Sequence, residues 1–314
     1  MKALRIGTRA SALAQWQAES VRAGLAETGV ASELVLIRTA GDRDQTGSLH
    51  AMDGKGFFIK ELEEALLDER VDVAVHSMKD VPTELASGLD ISAFCRRHDV
   101  RDALVSRSGL GLSELPPAAR VGTSSPRRKA QLRHYRTDLE IAEIRGNVDT
   151  RLAKVSKGDY DAVVLAKAGL DRLGLADRIT EIISTDLCLP AVGQGAIGVE
   201  TRAGDRTVLG IISKLDDLET RIAVEAERAV LAELGGGCQV PVGVWAYIET
   251  RKLVIEACVL AADGSESVRV RRAGAPQDAP GLGHEVAATL ISRGASRLLQ
   301  FAGPGLGGAS LGSE

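Results

Sequence analysis

Long apolar runs are missing from this 314-residue chain. None approaches the roughly 20 residues that span a bilayer, which excludes a helical membrane protein. Aromatic residues are scarce, with four Phe, three Tyr and two Trp, too few for a stacking platform that grips single-stranded nucleic acid. A cationic excess is missing too. The 39 Lys and Arg stand against 43 Asp and Glu, a net charge of −4, the reverse of the usual balance in a nucleic-acid binder. Four cysteines, Cys95, Cys188, Cys238 and Cys258, lie far apart with no CxxC and no paired Cys/His spacing. Neither a metal site nor a disulfide framework is expected from them. The opening MKALRIGTRAS has no apolar leader core, so the expectation is a reduced, cytoplasmic protein. Hydrophobic residues at 44% and charged residues at 26% exclude a largely disordered or collagen-like chain, and the length suits two or three domains.

What is present is an alternation of strand and helix patterns. LRIG predicts a short strand, and Ala14, Ala18, Val21 and Leu25 mark one face of the helix after it. ELVLIR predicts a second strand, 41–56 a glycine-rich mobile loop, and 57–70 a helix burying Phe58, Leu62, Ala65 and Leu66. VDVAVHS is nearly continuous in apolar residues, as in a parallel strand covered on both faces. The pattern restarts after GLGLSELPPAA. RVGTSS predicts strand and turn, with Ser125 as N-cap and Pro126 at the first position of a helix over 126–136. A strand LEIAEI, a helix over 147–157 and a buried strand with its exit turn in YDAVVLAKAGL follow. Two such units in succession predict an α/β protein with two lobes and a cleft between them. From about 218 a helix runs to 234 and ends in GGGC. VPVGVWAYI, KLVIEACVLAA and SVRVRR then predict an antiparallel meander covered by a helix over 283–301, and the Gly/Ser-rich stretch from 302 is expected to be disordered.

Three clusters could carry chemistry. Between Arg120 and Arg151 seven Arg and one Lys face four acids, a local charge of +4 inside an acidic chain. Arg127 and Arg128 fall in the first turn of a helix, where the backbone already favours anions. Several guanidiniums together suit a polycarboxylate, although Arg133 and Arg136 fit a solvated helix face equally well. In HSMKDVP, Asp80 and Lys79 lie where a buried strand ends, the place where α/β folds hold ligands. Asp80 is either an acid, base or cation stabiliser, or a plain turn cap, and His76 reads as a packed, hydrogen-bonded residue. In GGGCQVP the glycines put Cys238 on a pliable loop where a thiolate can act as nucleophile. The other three cysteines sit among apolar residues and read as inert.

RIGTRAS, GKGFFIKELE, HSMKDVP, VGTSSPRRKAQL, IRGNVDTRL, LPAVGQGAIGVE and GGGCQVPVG together resemble the porphobilinogen deaminase (hydroxymethylbilane synthase) family, in the family's order. The resemblance implies two periplasmic-binding-protein-like α/β lobes around a cleft plus a smaller C-terminal α+β domain with an antiparallel three-stranded sheet. Lobe 1 would take 1–97 and 196–215, lobe 2 98–195, and the C-terminal domain 216–302, leaving 303–314 as a tail. It implies a monomeric transferase of tetrapyrrole (haem) biosynthesis, joining four porphobilinogen molecules head to tail with loss of four ammonia. A covalent dipyrromethane cofactor would hang from Cys238 through a thioether. The resemblance further implies Asp80 as the catalytic carboxylate, and Lys79, Thr123, Ser125, Arg127 and Arg128 as cofactor contacts. Arg9, Ser11, Arg145, Arg151, Arg172, Gln194, Lys55 and Phe58 would meet the substrate. Asp53 and Phe57 depart from the commoner Gly and Leu of the family's loop.

The residue types fit that chemistry. A chain of pyrroles bearing acetate and propionate groups accumulates carboxylates and needs several Arg, and loss of ammonia leaves a cationic, azafulvene-like electrophile that a fixed carboxylate stabilises. The competing reading is a non-catalytic, two-lobed anion-binding module, which explains the Arg cluster but not GGGCQVP. A direct check is the intact mass. Cys238→Ala is expected to fold but to lack both the dipyrromethane mass increment and the pink Ehrlich reaction of the parent. An increment retained on Cys95, Cys188 or Cys258 contradicts the assignment.

Overall fold

The computed structural model describes residues 3–38, 59–235 and 240–300. The predicted loop over 41–56, the tail from 302, and the site candidates Lys55, Phe58 and Cys238 lie outside the described residues.

Strands β1 (Leu4–Arg9), β2 (Ser32–Ile37), β3 (Val73–Ser77) and β4 (Leu89–Cys95) alternate with helices α1 (Ala12–Glu27) and α2 (Lys60–Leu67). The middle of the chain holds β5 (Asp102–Ser106), β6 (Arg120–Gly122), α3 (Pro126–Tyr135), β7 (Glu140–Ala142), α4 (Val148–Lys157), β8 (Ala162–Ala166), α5 (Lys167–Arg172) and β9 (Glu181–Ile182). Then come β10 (Ile197–Arg202), α6 (Arg206–Ile212) and α7 (Leu218–Glu233). The chain continues through β11 (Val242–Glu249), β12 (Lys252–Leu260) and β13 (Ser267–Gly274) to α8 (Ala279–Ser292) and α9 (Ala295–Gln300).

Three sheets result, ordered β2-β1-β3-β10-β4, β7-β6-β8-β5-β9 and β11-β12-β13. The first two share one topology. In each, parallel strands on one side meet a single antiparallel strand that arrives from the other half of the chain, β10 in the first and β5 in the second. The central strands β3 and β8 are buried up to their last residue, as their uninterrupted apolar sequences require. Each sheet has its own core: Ile6, Leu25 and Val199 in the first, Leu104, Val121 and Ile183 in the second, and Val244, Ile255 and Val286 in the third. The fold is therefore two mixed α/β sheets and an antiparallel three-stranded sheet covered by helices, as expected.

Several local expectations shift. The helix placed over 57–70 spans Lys60–Leu67 in the described chain, though Leu62, Ala65 and Leu66 are its buried face as read. The exit turn after β8 is a full helical turn, α5, which takes in Gly169 and ends before Gly174, whose φ is +69°. The single helix over 283–301 starts at Ala279 and is cut by Gly294 at φ +97° into α8 and α9. LEIAEI pairs only over Glu140–Ala142. Arg136 is not a solvated side chain, since its guanidinium donates to the carbonyls of Leu112, Ser113 and Leu115 and pairs with Asp138.

Two segments cross between the first two sheets, 96–101 and 183–196, and the third domain is fastened to both of them. Glu227 of α7 is fully buried and accepts from Arg97 Nη1 at 2.6 Å, Arg97 Nη2 at 3.0 Å, Gly193 N at 2.7 Å and Ala246 N at 2.8 Å. One carboxylate thus joins both crossings to β11. Removing one member of such a pair leaves the other charge buried and unpaired, at about 3–5 kcal/mol. Glu227→Ala is therefore expected to lower the thermal midpoint by several degrees, measured by calorimetry. Arg97→Met with Glu227→Met removes both charges and is expected to recover most of that loss.

Candidate active site

Asp80 reaches the cleft through a short chain of local causes. Strand β3 runs into a 3-10 turn over Met78–Asp80, which turns Lys79 and Asp80 out while Met78 stays buried. Met78 N donates to Ala196 O at 3.1 Å, tying the turn to the second crossing. Gly193, at φ +71°, lies so close that an added Cβ would sit 2.7 Å from the Met78 Cβ, so a side chain there would displace the turn. Ser77 and Gln17 exchange hydrogen bonds, Gln17 Nε2 donating at 2.7 Å, which anchors α1 to the end of β3. Arg228 of α7 donates to the carbonyls of Val81, Pro82 and Thr83. The loop after Asp80 is thus held by the C-terminal domain.

The other half of the site stands on the starts of two helices. Ser125 caps α3, its hydroxyl accepting from Arg128 N, with Pro126 at the first helical position. Thr123, almost wholly buried, accepts from Ser125 N at 3.3 Å. Arg151, in the first turn of α4, donates from Nε to Gly146 O at 2.7 Å, which lays its side chain back over the helix start beside Arg145. Ser11 caps α1 in the same way, accepting from Ala14 N, with Arg9 just before it at the end of β1.

These groups converge electrically across the cleft. Lys79 feels Asp80, Arg128, Asp102 and Arg127, whereas Arg151 feels Arg128, Arg145 and Asp80. Lys79 is only partly covered by surface area, yet crowding of atoms round its ammonium, reinforced by the two Arg, pushes its pKa down to about 8. Burial, with the nearby charges of Arg128 and Arg145, brings Arg151 down to about 10. Cations here outnumber the acids that face them. Arg128 Nε, though buried, has no acceptor among the described residues. A cradle rich in donors and short of anions is the environment that a multiply carboxylated cofactor completes, so the residues present fit such a group.

Other candidates sit deeper or elsewhere. Arg127 is 3% exposed and spends Nη1 on Asp102 at 2.9 Å and the Leu189 carbonyl at 2.6 Å. Arg128 is 6% exposed and binds Asp102 and the Val164 carbonyl. Gln194 is fully buried in the second crossing, donating to Val100 O and to Asp102. Arg172 is buried away from the Lys79–Arg151 group, donating to Gly195 O at 2.7 Å and lying over the Trp16 ring. His76 is buried and paired with Glu200 at 2.8 Å, a packed residue as read. Burial pushes the thiols of Cys95 and Cys258 up to about 11 and that of Cys188 to about 12, which leaves them poor nucleophiles at neutral pH. Among the described residues no cluster of His, Cys, Asp and Glu could hold a metal ion, and no helix is long and apolar enough to cross a membrane.

Sequence reading missed Asp102, Arg228, Arg97 and Glu227. Only Asp102 left a trace, as an acid heading the apolar strand DALVS. The others are ordinary charged residues until folding buries them.

Lys79 gives the cleft a pH dependence. Its folded pKa lies below the ordinary lysine value of 10.5, so between about 8 and 10.5 the unfolded chain holds a proton that the folded one has lost. The ligand-free protein therefore gains stability as pH rises through that window. An anionic ligand favours the protonated form, so its affinity runs the other way. Calorimetric titration of full-length Cys238→Ala with benzene-1,2,4,5-tetracarboxylate is expected to show affinity falling about tenfold as pH rises past 8. Lys79→Arg is expected to flatten the curve.

Comparison with known proteins assigns the chain. Residues 4–210 match the family profile described as "Porphobilinogen deaminase, dipyromethane cofactor binding domain", and 221–292 match "Porphobilinogen deaminase, C-terminal domain". The porphobilinogen deaminase of Syntrophobacter fumaroxidans is 46% identical over 95% of this chain and 97% of its own length. That of Pelotomaculum thermopropionicum is 50% identical, over 95% and 96%. Among solved structures, the BvgS VFT2 domain of Bordetella pertussis superposes with a TM-score of 0.43 at 15% identity, covering 68% of this chain and 86% of that one. With both family profiles matched in order and near-half identity along nearly the whole length, the chain belongs to the porphobilinogen deaminase family.

Proposed function

We propose that this protein is a hydroxymethylbilane synthase, a transferase that condenses four porphobilinogen molecules head to tail and releases four ammonia on a covalently held dipyrromethane. The observation that carries the reading is the meeting of Asp80 with Lys79, Arg128, Arg145 and Arg151 across one cleft, within a chain of this family. A non-catalytic anion-binding module is not favoured, since the family match runs on through the C-terminal domain.

The cofactor, attached at Cys238, supplies a nucleophilic pyrrole carbon that primes the chain. Lys79 and Arg128, with Arg127 behind them, hold its carboxylates, and Thr123 and Ser125 shape the helix start from which both Arg project. Arg145 and Arg151 receive the carboxylates of the incoming porphobilinogen, joined by Arg9 and Ser11 from the facing lobe. Lys55, Phe58, Arg172 and Gln194 complete the set of substrate contacts that the family resemblance implies, the side chains of Arg172 and Gln194 being bound to the crossing segments. Asp80, held in place by its turn and by Arg228, presents a fixed anion to the cation left when ammonia departs and to the pyrrole N–H. Domain bounds of 1–97 with 196–215, 98–195 and 216–302 follow the three sheets. A cytoplasmic location agrees with the free thiols of Cys95, Cys188 and Cys258, and the family resemblance implies a monomer.

The decisive test is at Asp80. Asn keeps size and one acceptor but removes the charge, while Glu keeps the charge one methylene farther out. After loading with preformed cofactor, confirmed by intact mass, Asp80→Asn is expected to turn porphobilinogen over about 10²–10³-fold more slowly than the parent. Asp80→Glu is expected to keep more activity. Turnover by loaded Asp80→Asn within a few-fold of the parent would falsify the electrostatic role.

A further inference from the structure

Asp102 lies at the start of β5 with none of its surface exposed. Its Oδ1 accepts from Arg128 Nη2 at 2.7 Å and Gln194 Nε2 at 2.9 Å, and its Oδ2 from Arg127 Nη1 at 2.9 Å and the Cys188 thiol at 3.4 Å. Four donors from two separate parts of the chain, the start of α3 and the second crossing, meet on one carboxylate. Arg127 and Arg128 are adjacent cations in the first turn of α3, where the helix dipole opposes positive charge. Nothing local holds them inward. Gln194, through its own carbonyl, also accepts from Arg97 Nε at 2.8 Å, and Arg97 pairs with Glu227 of α7. A continuous polar chain therefore runs from the start of α3, through both crossings, into the C-terminal domain.

We propose that Asp102 is a positioning residue for the condensation, fixing Arg127 and Arg128 to the segment that crosses between the lobes so that the carboxylate cradle takes its geometry from the hinge. This rests on the reading of the site given above. Asp102 touches no reacting atom and acts through the two Arg. Arg127 has the deeper place, bound to Asp102, the Leu189 carbonyl and the Cys188 sulfur, and serves as the anchor. The Nε of each Arg is buried without an acceptor among the described residues, and Arg128, within electrostatic reach of both Lys79 and Arg151, is the arm that meets the ligand. Burial works against charge on Asp102, yet the two guanidiniums hold its carboxyl far below the ordinary range, so it stays an anion at any working pH. An Asn in its place offers one acceptor and turns an NH2 toward donors.

Positioning and simple charge neutralisation predict opposite signs. If Asp102 only cancelled charge, removing it would make the cleft more cationic and tighten the binding of any polycarboxylate. Positioning predicts weaker binding. In full-length Cys238→Ala, Asp102→Asn is expected to weaken benzene-1,2,4,5-tetracarboxylate at least tenfold by titration calorimetry at a temperature where both chains are folded. In the chain that retains Cys238, the share of molecules carrying the dipyrromethane increment is expected to fall at least tenfold. Asp102→Glu is expected to restore part of both. Unchanged or tighter tetracarboxylate binding with normal loading in Asp102→Asn overturns the proposal. So does a loss that only follows the melting temperature and that Asp102→Glu does not relieve. If Asp102→Asn does not fold, Asp102→Asn with Arg127→Met removes the anion together with one cation. That pair is expected to fold and still to load poorly, because Arg128 has lost its anchor, and normal loading in it overturns the proposal. A parent chain that carries no increment and leaves porphobilinogen unconsumed removes the functional reading itself, and the positioning role with it, whereas a parent that loads beside an unaffected Asp102→Asn removes the positioning role alone.

Discussion

Holding several cations together before any ligand arrives is the constraint on which the rest of this structure depends. Two unit charges about 4 Å apart interact by roughly 4 kcal/mol at an effective dielectric of 20, more than an ordinary hydrogen bond contributes. Hydrogen bonds alone would therefore not keep Arg127 and Arg128 packed inward at a helix start. Asp102 does so, and it is held in turn by Gln194 of the crossing segment. Lys79 and Arg151 are crowded beside these cations, and burial, reinforced by the neighbouring Arg side chains, lowers the pKa of both. The cleft is thus ready for a polyanion, and the family's cofactor is one.

Asp80 is held by different means. Its turn is packed through Met78 against the second crossing, its strand is pinned to α1 through Ser77 and Gln17, and the loop after it is gripped by Arg228. Two of these three supports come from residues more than 100 positions later in the chain. The C-terminal domain therefore bears on both halves of the site. Through Arg228 it steadies the loop after Asp80, and through Glu227 it is joined to both crossings. Movement between the lobes must pass through segments that already bear on the cofactor cradle and on the Asp80 turn.

Much of this was legible one residue at a time. The apolar run of β3, the Ser125-Pro126 start of α3 and the alternation of β11 to β13 are signals spread over a few neighbouring residues, and those elements form where they were read. The end of α2 and the break at Gly294 were harder to place, because a helix boundary depends on what the next turn packs against. GGGCQVP and HSMKDVP stood out because their residue types are costly or strained unless something uses them. The resemblance implies Arg172 and Gln194 as substrate contacts, and the structure adds that their side chains are engaged with the crossings, a position that no local pattern expresses.

The sequence by itself determined the element types, the split into two α/β units and a meander, the local excess of positive charge, and, through seven separated motifs, the family. Tertiary structure alone decided which anion the Arg pair would share. Asp102 and Gln194 are 92 residues apart, and Arg97 and Glu227 are 130 apart. Helix and strand signals are set by neighbours three or four residues away, so they survive in a linear reading. The pairing of buried charges is set by which sheets pack together, and it comes into being only when burial makes an unpaired charge too costly to leave.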